Sequence, residues 1–215
     1  MKKLTLSVAL LLLVTGCQSA YYATMEKFGV HKREILVDRV EETKDSQQES
    51  QKEFQSALDR LTTLINFDGK ELQEAYDLLN DDYQASLAAA SAVSANIDKV
   101  EDVAKALFDE WQDELEQYSS VNLKHESAKQ LSQTQRQFER LLRSMRSSEA
   151  KMQPVLDSLQ DNVLYLKHNL NAQAVSAIKG EFTGLKRDIS ALIADMNRSI
   201  EDSNKFIAEM NARRT

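Results

Sequence analysis

YDLLNDDYQASLAAASAVSANIDKVEDVAKALFDEWQDELEQY, residues 76–118, contains neither glycine nor proline. Its apolar residues recur at alternating steps of three and four: Tyr76, Leu79, Tyr83, Ala90, Val93, Ile97, Val100, Ala104, Leu107, Trp111 and Tyr118, interrupted only by Ser86 and Glu114. That spacing places them on one side of a helix, and the phase holds for far longer than a globular helix requires, as in a coiled-coil seam. Two more segments carry the pattern. One runs Ala128, Leu131, Gln135, Phe138, Leu142, Met145, Glu149, Met152, Leu156, Leu159, Val163, Leu166, Leu170. The other runs Val175, Ile178, Phe182, Leu185, Ile189, Leu192, Met196, Ser199, Ser203, Phe206, Met210.

A fourth helix is expected over Thr24 to Asn66, although its seam is weaker. Val37 and Val40 begin it, Phe54, Leu58, Leu61 and Ile65 finish it, and Glu41 to Glu53 between them holds no apolar residue. A stretch polar all round is expected to touch its neighbours only at the ends, crossing a solvated gap or offering a docking surface to a partner. Turns are expected at Asp68-Gly69, at Ser119-Ser120-Val121-Asn122 and near Asn169 to Asn171. Pro154 lies inside the third seam without breaking its phase, which predicts a kinked but continuous helix. The expected fold is all-α: an elongated antiparallel up-down bundle of about four long helices with coiled-coil-like heptad seams, roughly 60 to 75 Å in length.

Composition agrees. With one proline and five glycines in 215 residues, there is little turn or strand material. The formal charge of -7 disfavours general binding to nucleic acid or anionic membrane. Asp98 to Glu116 is acidic and Lys124 to Lys151 is basic, and a chain folded back at Ser120 lays one stripe along the other.

The first twenty residues, MKKLTLSVALLLLVTGCQSA, have the form of a secretory signal. Lys2 and Lys3 precede an apolar run, Leu4 to Val14, that is too short for a bilayer needing roughly 20 residues. Val14-Thr15-Gly16-Cys17 resembles the lipobox of bacterial lipoproteins, and Cys17 is the chain's only cysteine. The expected division is a signal peptide over 1–16 and a mature, lipid-anchored helical bundle over 17–215, with Cys17 lipidated. Several acyl chains on Cys17 hold a protein firmly without any transmembrane helix. Gln18 stands where the sorting rules of such lipoproteins would put an aspartate to retain them on the inner membrane. The expected location is therefore the periplasmic face of the outer membrane. The mature chain then has no cysteine for a disulfide, despite an oxidising compartment.

AYYATMEKFGVHKREILVDRVEE, Ala20 to Glu42, together with the lipobox and the glutamine-rich helix after it, resembles a family of proteobacterial lipoproteins catalogued as domain of unknown function 2959. The resemblance covers nearly the whole mature chain; it implies an all-helical lipoprotein and no particular activity. In the same stretch Tyr21, Tyr22, Met25 and Phe28 follow the anchor closely and suit a membrane interface, with Lys27, Lys32, Arg33 and Arg39 available to anionic head groups. Packing of this helix end on the bundle is the alternative.

No catalytic, cofactor or metal site is expected, the covalent lipid on Cys17 aside. His31, His125 and His168 are far apart and form no Glu-x-x-His or His-x-x-x-His spacing. Glu114 and Glu149 fall on the seams and read as buried polar layers that set helix register. No phosphate-binding loop or nucleophile elbow is present. Arg136, Arg140 and Arg143 form a basic stripe, but the acidic partner stripe opposes a nucleic-acid reading. Gly180-x-x-x-Gly184 has no membrane-spanning flanks and marks close helix approach or a flexible point. The major murein lipoproteins end in a lysine joined to peptidoglycan; Arg213-Arg214-Thr215 ends this chain, so peptidoglycan contact is expected to be non-covalent.

The expected function is that of a non-enzymatic, lipid-anchored scaffold, spacer or envelope-organising factor. It would be held to the membrane through its anchor and would contact an envelope protein or a second copy. Two other readings stay open: a self-assembling membrane- or peptidoglycan-associated envelope stress protein, and a hydrophobic-ligand carrier opening between helices.

Overall fold

A computed structural model of the chain describes residues 31–66 and 72–212; among these it contains α-helix and no strand. The helices are α1 (Lys32–Ile65), α2 (Leu72–Leu115), α3 (Val121–His168) and α4 (Ala172–Ala212). Each packs on its sequence neighbours and α4 packs back on α1, so four helices close into one bundle within a single chain. The antiparallel sense of α1 and α2 is fixed by ion pairs at opposite ends, Lys32 with Glu110 and Arg60 with Asp82, both at 2.9 Å.

Polar side chains finish the helices in place of glycine. Ser120 caps α3, its Oγ accepting from the Leu123 N–H at 3.4 Å, so Val121 and Asn122 belong to the helix and not to the turn. Asn171 Oδ1 accepts from the Ala174 N–H at 3.0 Å and starts α4, while Asn169 Nδ2 donates to the Tyr165 carbonyl at 2.9 Å and closes α3. Asp68-Gly69 lies outside the described residues, between helices that stop at Ile65 and resume at Leu72. α3 runs unbroken through Pro154, whose ring is on the exposed face. On that exposed face the carbonyl of Ala150, which loses its helical donor to the proline, is within reach of water.

Burial follows the α4 seam closely, from Ile178 and Leu185 through Met196 to Met210. On α2 it follows the seam from Leu79 to Leu107. On α3, Thr134, Leu141 and Ser148 are buried where the pattern named Gln135, Leu142 and Glu149, one position away. A helix facing two neighbours buries a stripe about 100° wide, so the deepest residue can be either of two adjacent positions.

α1 departs most from expectation. Thr24 to Val30 lie outside the described residues, and α1 begins at Lys32. The polar stretch does not stand off. Thr43, Gln47 and Ser50 are all 0% exposed and continue the series Leu36, Val40 … Phe54, Ala57, Leu61, Leu64 without a change of phase.

Gly180 and Gly184 do not mark a close approach: a methyl group added at either would meet nothing within 4 Å. Each is an interior helical glycine in open space, so Gly180→Ala and Gly184→Ala should each raise unfolding free energy by about 0.5 to 1 kcal/mol. Urea denaturation of the single and double variants measures it, and a loss of stability would show that the glycines are needed for packing.

Candidate functional site

The part of the structure that sequence patterning misses lies at mid-bundle. Gln47 of α1 is fully buried, and its Nε2 donates to Ser148 Oγ of α3 and to Ser199 Oγ of α4, each at 3.0 Å. Ser148 Oγ in turn donates to the Met145 carbonyl at 2.8 Å, and Ser203, one turn after Ser199, donates to the Ser199 carbonyl at 2.8 Å. Gln47 Oε1 is buried with no hydrogen-bond partner among the described residues. An unmatched buried amide oxygen costs about 1 to 3 kcal/mol. The layer is therefore held in place by the helices more than it holds them, and what it confers is a single register. Just below it, Ser50 Oγ lies 4.0 Å from Met152 Sδ.

This layer replaces the one expected at Glu114 and Glu149. Glu114 is exposed, because Leu115 beside it takes the core position. Glu149 sits at the margin of the core, accepting from Ser94 Oγ of α2 and from Arg146 Nη1 at 2.9 Å. Serine supplies the buried hydroxyl at 148 at far smaller desolvation cost than a carboxylate would.

Around this margin the two charged stripes meet. Arg146 Nη2 reaches Asp98 at 2.6 Å and Glu101 at 2.8 Å, and Lys124 reaches Glu116 at 3.0 Å. Between them, Arg136 turns to Ser132 and Arg143 to Glu139 within their own helix, so the expected stripe-on-stripe contact is only partial. Partial burial disfavours the Arg146 charge, but its hydrogen bonds to Glu101, Asp98 and Glu149 outweigh that and raise its pKa above the usual arginine value. On α1, the hydrogen bond from Arg39, more than the charges of Arg39 and Lys99, holds Glu42 below the ordinary glutamate range.

The other expected residues are dispersed. Cys17, Tyr21, Tyr22, Met25, Lys27 and Phe28 lie outside the described residues, as do Arg213 to Thr215. Lys32 and Arg33 reach Glu110 and the Met210 carbonyl within the bundle, and Arg39 pairs with Glu42 on the surface. His31, His125 and His168 are exposed. His168, with Lys167, ends α3 and complements its dipole. Among the described residues no three His, Cys, Asp or Glu side chains gather as a metal site, and no helix is long and apolar enough to cross a membrane.

Of Glu41 to Glu53, only an outer face is open: Glu41, Glu42, Asp45, Gln48, Glu49 and Lys52 are exposed. An open groove of about 690 Å³ runs between α2 and α3, where Ala90, Ser91 and Ser94 face Ala150 and Leu156. Small residues leave the space, and Leu87 at its edge is 39% exposed. Larger apolar side chains are exposed at the two ends of the bundle: Tyr118, Val121 and Leu123 at one, Leu164, Tyr165 and Leu170 at the other.

A family model described as a protein of unknown function (DUF2959) matches residues 21–210. No curated protein matches the chain.

Replacing the buried amide tests the register layer. Gln47→Leu should raise stability by about 1 to 3 kcal/mol, since it removes an unmatched oxygen and keeps the volume. Gln47→Ala should lower it by about 2 kcal/mol through the cavity it leaves. Denaturation midpoints read both, and a destabilised leucine variant would mean that the hydrogen bonds outweigh the unmatched oxygen. Arg146→Met should cost about 1 kcal/mol in dilute buffer and less in 1 M salt, because the pairs it breaks are partly solvated.

Proposed function

The chain belongs to the DUF2959 family of proteins of unknown function, and on that premise we propose a role exercised by reach and contact instead of catalysis. It is a lipid-anchored periplasmic rod that spaces or organises envelope components. The observation that carries this reading is the polarity of the bundle. The N-terminal segment, with its lipobox-like Cys17, joins at the start of α1. The exposed apolar residues Leu164, Tyr165 and Leu170 lie at the far end, beside the last layer, Leu64 and Leu166, of a core continuous from Phe206 and Leu36. α3 alone spans 48 residues, about 72 Å of helix. A partner bound at the far end would thus be held at a set distance from the attachment point.

Leu164, Tyr165 and Leu170 are the proposed partner contact. They form a compact apolar edge flanked by Lys167 and His168, whereas the exposed face of Glu41 to Glu53 is wholly polar. A polar helical face alone provides little of the desolvated centre that stable interfaces use.

In-cell photo-crosslinking from positions 164 and 170, with position 48 as control, tests this in the full chain. A dominant envelope protein captured at 164 or 170 and not at 48 is the expected result and would identify the process. Capture of this chain alone would move the function to self-assembly. Membrane fractionation of Cys17→Ala beside the native chain reads the anchor separately, since release from the membrane is expected only of the variant.

A further inference from the structure

The two ends of the bundle are not alike. Lys32 meets Glu110, and Arg33 donates to the Met210 carbonyl at 2.7 Å, so α1 begins level with Glu110 of α2 and with the last turn of α4. α1 and α3 run parallel, with Gln47 opposite Ser148, and the same offset sets Lys32 level with Gln133. α3 begins at Val121. Between about seven of its residues, by the Trp111–Ser127 level, and a dozen, by the Gln47–Ser148 offset, therefore project past Lys32 with the end of α2, ~10 to 18 Å. At the opposite end the same offset sets Ile65 level with Leu166, so α3 ends within a few residues of that level, while Arg60 with Asp82 sets Ile65 near Asp77 and α2 starts about five residues beyond it.

The overhanging hairpin is braced. Trp111 Nε1 donates to Ser127 Oγ at 2.8 Å, and Lys124 pairs with Glu116. Yet its tip presents Tyr118 at 42%, Leu123 at 60% and Val121 at 81% exposure, within six consecutive positions. Between them lie only Ser119, Ser120 and Asn122.

Where the rest of the chain attaches says what would cover this tip. Residues 17–30 join at His31, on the hairpin's end of the bundle, and begin with Cys17. Cys17 is about fifteen residues from Lys32, a span of at most ~50 Å. The anchor thus attaches at the hairpin's end, and a membrane met end-on there meets the hairpin tip first. A tyrosine with two aliphatic residues on a polar turn matches an interfacial contact, with the aliphatic chains in the acyl boundary and the phenol at head-group level.

We infer that the α2–α3 tip, Tyr118 to Leu123, is a second membrane contact that seats in the lipid interface and sets the bundle upright beside its anchor. The inference rests on the lipid-anchored reading above. Flanking charges are net acidic, with Asp113, Glu114, Glu116 and Glu126 against Lys124 and Lys129. The contact is therefore driven by apolar insertion and gains nothing from anionic lipid.

The test uses the mature, full-length lipoprotein in vesicles of phosphatidylethanolamine and phosphatidylglycerol. Leu123→Cys carries a nitrobenzoxadiazole label, and Leu164→Cys at the far end is the control; circular dichroism checks that both remain helical. The expected result is a blue-shifted, several-fold brighter signal at 123 that spin-labelled lipid quenches, unchanged without phosphatidylglycerol, with position 164 as in water. Vesicle flotation with a water-like signal at 123 overturns the tip contact and leaves the anchor standing. Shielding from iodide without lipid quenching overturns it too, assigning the tip to residues 20–30 or to a second copy. A protein that does not float, and whose Cys17 accepts the label, overturns the anchor and this inference with it.

Discussion

The amide of Gln47 crosses the centre of the bundle to reach serines on two other helices, and the alignment of the layers on either side is tied to that level. Apolar seams made of leucine, alanine, valine and methionine are permissive: one heptad slides onto the next at small cost, because each layer resembles its neighbour. A donor that finds hydroxyls at only one setting removes that freedom. A slip of one heptad would leave the amide facing aliphatic carbon, and the cost of an unmatched buried amide is several times that of a slightly worse apolar fit. α1 can then be polar from Glu41 to Glu53 and still fill its share of the core with Thr43, Gln47 and Ser50.

Ion pairs at the margins act in the same direction with less energy each. Arg146 gathers Asp98 and Glu101 of α2 with Glu149 of its own helix. Asp195 of α4, nearly buried, is held by Lys151 of α3 and Arg198. Ser56 and Arg60 both bind Asp82 at the other end of the α1–α2 pair, at 2.9 Å each. Every helix is tied across to a neighbour by a charged or polar contact at a particular height. This suits a bundle with no disulfide available among its described residues, whose hydrophobic pattern alone does not choose between registers.

Much of this fold was legible in the sequence, and what was not has a physical reason. The α2 and α4 seams could be read because apolar side chains at alternating steps of three and four leave a helix no other economical way to hide them. The turn at Asn169 to Asn171 was legible by loss of phase alone, although Asn171 turned out to be the cap that makes it. Glu149 was misread as a core residue because seam counting resolves a face and not an atom: Ser148, one position away, shares the face and is far cheaper to bury. The Glu41 to Glu53 stretch was misread as standing off because polarity was equated with exposure. Its spacing of 40, 43, 47, 50, 54 kept the phase, and only the partners on α3 and α4, about a hundred and a hundred and fifty residues away, made those positions a core. The tips were illegible for a related reason: which exposed apolar residues share an end of the bundle depends on how far each helix runs past its neighbours.

That unequal length bears on how a rod of this kind can work. A bundle joined to a surface at a single point would lean and rotate freely, and its far end would sweep a hemisphere instead of standing at a height. Stiffness along the axis does nothing to prevent this; only a second point of contact, displaced from the first, resists tilting. α1 begins ~10 to 18 Å short of the hairpin tip, so the place where the N-terminal segment joins and the place where the bundle ends are separate points. A long, single-register bundle with its attachment set back from its end has the geometry that turns length into a defined distance.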